Sequence, residues 1–566
     1  MQGSSESQPQ VPGRRKVKTG CKTCKARRVK CDESRPACRR CVSTGRVCNG
    51  YGIWGGGDSQ SQIQCSQPLS IHRAPVPQGG LTSDEEISFD WFREKTTKQF
   101  AGVFTSDFWE TLVFQASVQE PAVRHAVVAL SAAHRSDDSR DPRALAAPRG
   151  FNAEHFMLQH YNKAIHHLRS SPVNDTTPDI RVILITCMIF VTLEYLRGQY
   201  ASGNSHLRYG IQLLSELSAK RSKSSTSSEN SSRCMTQATD FAHNALIDSY
   251  AQLTIQSAMF GIFPSHMCIT THDSQTYAPP YNFKSIIDAR KSLDDLLHKV
   301  KCLKEDYHEA LETGNTIDHS KASATQFSIQ KDLLAWRQAY DFILPSLQST
   351  MDPRDRAGAI IVRLYHEMVT VMAAVSLSES EMDFDAYTDR FSAIIAGVHE
   401  LSQIWSLSAT ESWSPGPGVG NADPRDRGFT IESGYIPPVY YTAMKCRIPH
   451  IRRQAIQALR LTPRREGLWN GPLLADVLEE VTGIEQGQTH VDHPNTELRC
   501  QVSESAGNRL CVPHVDQMSR ISDVKVLLPD AMDETTGDTF ISYKKVTLDG
   551  GWATFEQKIG FSAATG

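Results

Sequence analysis

Six cysteines between Cys21 and Cys48 carry the chemistry this sequence offers. They fall in two identical triplets, Cys21-x2-Cys24-x6-Cys31 and Cys38-x2-Cys41-x6-Cys48, the second repeating the first seventeen positions on. A Cys-x2-Cys pair presents two sulfurs to one metal from a single turn, and a third cysteine six residues later can close back on it. Each triplet still leaves a tetrahedral zinc one ligand short. Two four-coordinate ions need eight bonds, so six thiolates satisfy both if two sulfurs are shared, and the repeat nominates the equivalent first members, Cys21 and Cys38, as the bridges. Three disulfides would need an oxidising compartment, yet the amino-terminal MQGSSESQPQVPGRRKVK has no apolar stretch of the kind a secretory signal requires. A single zinc ribbon on Cys21, Cys24, Cys38 and Cys41 would leave Cys31 and Cys48 without a role.

Charge is concentrated on the same segment. Thirteen Lys and Arg side chains between Arg14 and Cys48 stand against Asp32 and Glu33, a balance of +11 in a chain whose formal net charge is −3. Six thiolates and two zinc ions remove about two of those charges. A cationic island on an acidic protein is the footprint of a nucleic-acid contact.

The segment CKTCKARRVKCDESRPACRRCVSTGRVC resembles the fungal zinc binuclear cluster, the DNA-binding module of fungus-specific transcription regulators. All six spacings agree with that family, and Pro36 stands two residues before Cys38, where the family usually has a proline. The resemblance implies two Zn²⁺ per chain and a short helix after Cys24 whose basic residues reach base edges in the major groove. Those residues are Arg27 and Arg28 here, where the family commonly has lysines. Arginine suits bidentate recognition of guanine, and a CGG-like triplet is the implied target. Lys22, Lys25, Lys30, Arg39 and Arg40 are assigned to backbone phosphates, which position the module without selecting sequence. Arg14, Arg15, Lys16 and Lys18 form a basic arm that serves nuclear import, a phosphate contact or both.

The remainder of the 566 residues must position and control this head. Residues 1–19 read as a disordered basic arm, 20–50 as the cluster and 51–83, rich in Gly, Ser, Gln and Pro, as a flexible linker. No apolar heptad persists for two repeats between Asn49 and Asp84, so no coiled coil is evident, and any self-association would run through the helical region. From Asp84 to about 520 the periodicity is helical. Segments at Phe108–Val113, after Pro121, at Phe156–Leu168, Ile180–Leu196 and Gly203–Leu217 predict an irregular bundle, with Val182–Val191 too short to cross a bilayer. Two breaks, Ser218–Arg233 and Ser412–Arg427, read as mobile surface insertions. Residues 521–566 alternate apolar and polar around turn sequences and predict a small β meander. The fold class is therefore mainly α, with a small zinc head and a β-rich tail. Stretches from FTSDFWETLVFQASVQEPAVRHAVVALSAAH to RREGLWNG also resemble the helical regulatory region found behind such clusters.

Catalytic motifs are missing. Gly416–Gly420 has no preceding strand, and His366-Glu367 and His399-Glu400 lack the second histidine of a zinc protease, having Thr370 and Gln403 instead. His490, His493, Cys500, Cys511 and His514 gather metal-capable groups at loose spacing in a polar stretch, and chance proximity accounts for them. Asp84–Phe92 is acidic and aromatic like an activation segment, but reads better as the solvated start of a helix. The expectation is a nuclear, sequence-specific DNA-binding regulator acting at RNA polymerase II promoters with the transcription machinery or co-regulators as partners, without a membrane and without enzymatic activity. The alternatives are a scaffold protein with weak DNA specificity, or an enzyme fused to a DNA-binding head.

Overall fold

The structure is a computed structural model, and it describes residues 21, 23–24, 27–32, 34, 38–44, 48, 81–137, 152–169, 179–224, 233–263, 281–316, 318–407, 428–462, 464–487, 515–528, 539–547 and 551–559, with backbone alone at 217–224 and 233–241. Capping starts the helical body. Thr82 and Glu85 form a reciprocal capping box, which satisfies otherwise orphaned N–H groups and opens α1 (Ser83–Trp91). A π-turn, Phe108–Leu112, leads into α2 (Val113–Gln119). Pro121 then begins α3 (Pro121–Asp137), where a missing N–H costs nothing. The chain continues through α4 (Ala153–Arg169), α5 (Ile180–Leu196, capped by Asp179) and α6 (Tyr200–Ser224) to α7 (Arg233–Met259).

The expected break at Ser218–Arg233 is thus helical as far as Ser224, and α7 starts at Arg233; a serine-rich composition does not prevent a helix from running on once its preceding turns are packed. The other expected insertion, 412–427, lies outside the described residues.

Four long helices follow: α8 (Ile286–Thr313, ended by left-handed Gly314), α9 (His319–Gln348), α10 (Pro353–Ala374) and α11 (Thr388–Leu407). By length and composition α10 could cross a membrane, but 78 % of its most apolar window is buried inside the body. Helices α12 (Ile436–Lys445), α13 (Pro449–Arg460) and α14 (Gly471–Glu485) complete the bundle, which β1 (Gly428–Thr430) and β2 (Arg464–Glu466) cross-link as a short parallel pair. Packing is close. A Cβ at Gly210 of α6 would lie 2.4 Å from the Tyr250 hydroxyl of α7, which itself donates to the Leu184 carbonyl of α5 at 3.0 Å.

The carboxy-terminal strands β3 (Ile521–Leu527), β4 (Thr539–Val546) and β5 (Trp552–Ile559) form an antiparallel meander. It is no detached tail. Ile521, Val526, Ile541, Tyr543 and Ile559 belong to the same hydrophobic core as the helices. Buried charges fasten it further. Arg447, between α12 and α13, bonds Glu485 at 2.8 Å, Glu381 at 3.1 Å and the Ile521 carbonyl at 3.4 Å. Glu485 also accepts from Arg452 at 2.6 Å and from the Ile521 N–H at 3.1 Å, while Arg520 holds Asp385 at 2.6 Å.

Burial by itself would raise the Glu485 carboxyl, but the charges and hydrogen bonds of Arg447 and Arg452 outweigh it and hold the group below the ordinary carboxylate range. A depressed folded-state value gives stability that is present above the unfolded value of about 4.3 and is lost as pH falls through the folded one. Glu485→Gln should therefore cost about 3–5 kcal/mol at neutral pH, because two arginines stay buried with one counter-charge removed. Urea denaturation of wild type and variant measures this, and the difference should shrink on acidification below pH 4. Equal midpoints at neutral pH would show that water already reaches the cluster.

Candidate metal centre and nucleic-acid interface

The head is built on four N–H···S hydrogen bonds that repeat with the sequence. Cys24 N–H donates to Cys21 Sγ and Cys41 N–H to Cys38 Sγ, both at 3.3 Å. Cys21 N–H donates to Cys31 Sγ and Cys38 N–H to Cys48 Sγ, both at 3.4 Å. Every residue in the first set has its counterpart seventeen positions on. The sulfurs form two groups of four, Cys21, Cys24, Cys31, Cys38 and Cys21, Cys38, Cys41, Cys48, within each of which all Sγ atoms lie inside 4.8 Å of one another. Cys21 and Cys38 occur in both groups, 3.6 Å apart. Zinc–sulfur bonds of about 2.3 Å spread tetrahedrally place two sulfurs about 3.8 Å apart, so both groups fit a zinc ion.

Cys21, Cys24, Cys38 and Cys41 are fully buried, and Cys31 and Cys48 are half-buried. Burial, the largest influence, pushes the thiols of Cys21, Cys24 and Cys38 up. At Cys41 burial acts the same way, but hydrogen bonds from Cys38, Cys21 and Cys24 overcome it and hold the thiol down. The protein's own groups thus ease ionisation at Cys41 and oppose it at Cys21, Cys24 and Cys38, where a bound cation would supply the missing charge.

The two arginines expected at base edges differ in setting. Arg28 is exposed with φ 54°, and the Val29 N–H returns to the Cys24 carbonyl at 3.0 Å, so Arg28 occupies the left-handed position of a Schellman-type helix end. Arg27 is half-buried and its Nη1 donates to Thr44 Oγ1 at 3.3 Å, tying the first half of the module to the second. Lys30, Arg39 and Arg40 are exposed. Lys22, Lys25, Arg14, Arg15, Lys16 and Lys18 lie outside the described residues, as do His490, His493, Cys500, Cys511 and His514. The two His-Glu pairs fall on helices of the body. His366 stacks on Trp336 and bonds the Leu333 carbonyl, and Glu367 bonds Arg337 and Arg390, so both act in packing.

One functional residue escaped the sequence reading. Asp32 counted there as a charge; in the structure its carboxylate accepts the N–H groups of Arg39 and Arg40, both at 3.0 Å, at the start of the short helix Arg39–Val42. The Ser34 hydroxyl also donates to it, and these bonds, led by that of Ser34, hold its carboxyl well below the usual range. One of only two acids in a basic island, placed directly after a ligand, is the signal that could have revealed it.

A buried multi-thiol centre inside a cationic surface defines a zinc-dependent DNA-binding protein. Comparison with known proteins agrees: residues 19–53 match the fungal Zn(2)-Cys(6) binuclear cluster domain, and residues 91–383 match the fungal specific transcription factor domain. The chain belongs to the fungal-specific transcription factor family, and it binds zinc and DNA as a transcription regulator. It is 24 % identical over 573 residues to the aspercryptin biosynthesis cluster-specific transcription regulator of Emericella nidulans, covering 84 % of this chain and 90 % of that one. It is 31 % identical over 204 residues to a transcription regulator of Purpureocillium lilacinum (34 % of this chain, 48 % of that one), and 45 % identical over 71 residues to a transcriptional regulatory protein of Schizosaccharomyces pombe (12 % and 13 %). No solved structure matches.

Removing the Asp32 cap leaves two N–H groups beside Cys38 without their acceptor. Asp32→Ala should release zinc to a competing chelator faster, by on the order of tenfold, with Asp32→Asn intermediate. Identical release rates would show that the metal alone shapes this loop.

Proposed function

We propose that the head holds two zinc ions bridged by Cys21 and Cys38, and that it presents arginine to a CGG-like triplet in the major groove at RNA polymerase II promoters in the nucleus. The observation that carries this reading is the pair of overlapping thiol groups, which share those two sulfurs and no others. Zinc supplies the positive charge that keeps the thiolates together, so the bound ions set the shape from which basic side chains project. Arg28, exposed at a helix end, is the base-reading residue; Arg27, engaged with Thr44, supports it and joins the contact. Lys22, Lys25, Lys30, Arg39 and Arg40 neutralise phosphates, and Arg14, Arg15, Lys16 and Lys18 serve import or further phosphates. The helical body controls the head through co-regulators or a second copy. A relative along most of the chain is named for one biosynthesis cluster, which supports a target set confined to one group of biosynthetic genes. A genome-wide map of binding sites tests that extension, and sites scattered across unrelated promoters would overturn it.

Sharing has a direct readout. Cys21→Ser in the full-length chain should lower the zinc content by about two ions per chain relative to wild type, since both sites lose a ligand. A loss of about one would sink the bridged arrangement. Base reading separates from backbone contact in the same way. Arg28→Ala should cost about 1–3 kcal/mol on the preferred duplex and far less on random sequence, while Lys30→Ala should weaken both alike and flatten the salt dependence. Equal losses on the two duplexes for Arg28→Ala would move that residue to the phosphate class.

A further inference from the structure

Outside the cysteine head, three helices bring together a second set of metal-capable side chains. Glu85 lies in the first turn of α1, His125 in the first half of α3 and His160 in the middle of α4. One donor atom from each lies within 4.8 Å of the other two. His125 Nδ1 faces His160 Nδ1 at 3.0 Å, while Glu85 Oε1 stands 3.6 Å from the other nitrogen of that ring, Nε2, so one ion takes a single nitrogen of His160 and Glu85 closes on it by a side-chain rotation. His160 is 1 % exposed and Glu85 8 %, whereas His125 is half-buried and leaves one side of the group open to solvent.

Two imidazole nitrogens meeting in the interior need an electropositive centre between them. A single hydrogen can fill that role. So can a metal, because bonds of about 2.0–2.1 Å spread tetrahedrally hold two nitrogens about 3.3 Å apart, a few tenths from the spacing found here. The rings are in the right form for it. Burial first, then neighbouring charges led by His160 at His125 and by Lys163 at His160, holds both groups at about 4, so both are neutral near pH 7 and keep a lone pair for a ligand bond.

The carboxylate is also fixed in advance. Glu85 Oε2 accepts the Thr82 N–H at 2.9 Å, which leaves Oε1 turned toward the histidines. His167, on the same helix as His160, stacks on His125 at 5.3 Å and backs its ring. The competing cation is Lys163, whose Nζ is 3.9 Å from Glu85 Oε1; its side chain is 41 % exposed and can turn to solvent when an ion enters.

We propose that Glu85, His125 and His160 bind one divalent transition-metal ion in the helical body, zinc being the ion that two imidazoles and a carboxylate suit. The ion ties α1, the first helix of the body, to α3 and α4. Its occupancy is then linked to how firmly α1 is held, independently of the cysteine head.

The test uses the full-length chain, loaded with zinc, desalted and assayed for metal per chain. His125→Gln and Glu85→Gln should each contain about one zinc fewer than wild type, while Cys21→Ser retains this ion. Added zinc should raise the Tm of wild type by several degrees more than that of His125→Gln, since a ligand that binds the folded state stabilises it. A far-UV spectrum like that of wild type establishes that each variant is folded. Glu85→Gln keeps an oxygen for the Thr82 cap and serves if His125→Gln does not fold. Equal zinc content in wild type and a folded variant, with equal Tm responses to zinc, would overturn the proposal.

Discussion

A buried knot of charge decides whether the helical body is one object. Lys445, Arg447, Arg452 and Arg520 meet Glu381, Asp385 and Glu485, and every one of these contacts joins stretches that are far apart in the chain. Apolar packing alone leaves such segments free to slide, since the hydrophobic effect has no direction. Charged hydrogen bonds have one. Arg447 can satisfy Glu381, Glu485 and the Ile521 carbonyl together in a single arrangement of α14, the turn before α11 and the first strand of the meander. Burying these groups is costly, and the network is tolerable because the members neutralise one another inside a dry interior.

The head meets the opposite difficulty. Among the described residues its buried side chains are four cysteines, with Val29 partly buried beside them, so apolar burial there contributes almost nothing. Metal–sulfur bonds take that place, and the N–H···S bonds and the Asp32 cap set the loops around them. One chain thus uses two kinds of cohesion. The body is held by a large core with an ionic lock, and the head by ions and the few atoms that surround them.

The difference explains what could be read in advance. Cysteine spacing is a local code, so the thiol groups follow from residues within thirty positions of one another. Helix α5 is equally local: a capping aspartate and an unbroken apolar run place it at Ile180–Leu196, the span anticipated from the sequence. The three strands of the meander lie within residues 521–566, the stretch expected to form it, because turn sequences separate them. By contrast, the ionic knot draws on residues from Glu381 to Ile521, and no spacing rule connects positions so distant. The trio Glu85, His125 and His160 was invisible for the same reason. Asp32 was legible as a charge but not as a cap, because it acts seven residues ahead of the helix it closes. The serine-rich stretch was read as a break from Ser218 on its composition, and the backbone is helical through Ser224.

The docking of the meander bears on how the parts of this protein can be assigned by deletion. Regulators are commonly dissected by shortening them from the end and asking when transcription fails. Here a cut before Arg520 removes all three strands that fill the shared core, takes Asp385's partner away and leaves Glu485 without the Ile521 N–H. The shortened chain would lose its regulatory output through collapse of the body, and the last forty-odd residues would be mistaken for an activation segment. Exchange of surface residues on β5, which leaves the core intact, is the form of dissection this architecture permits.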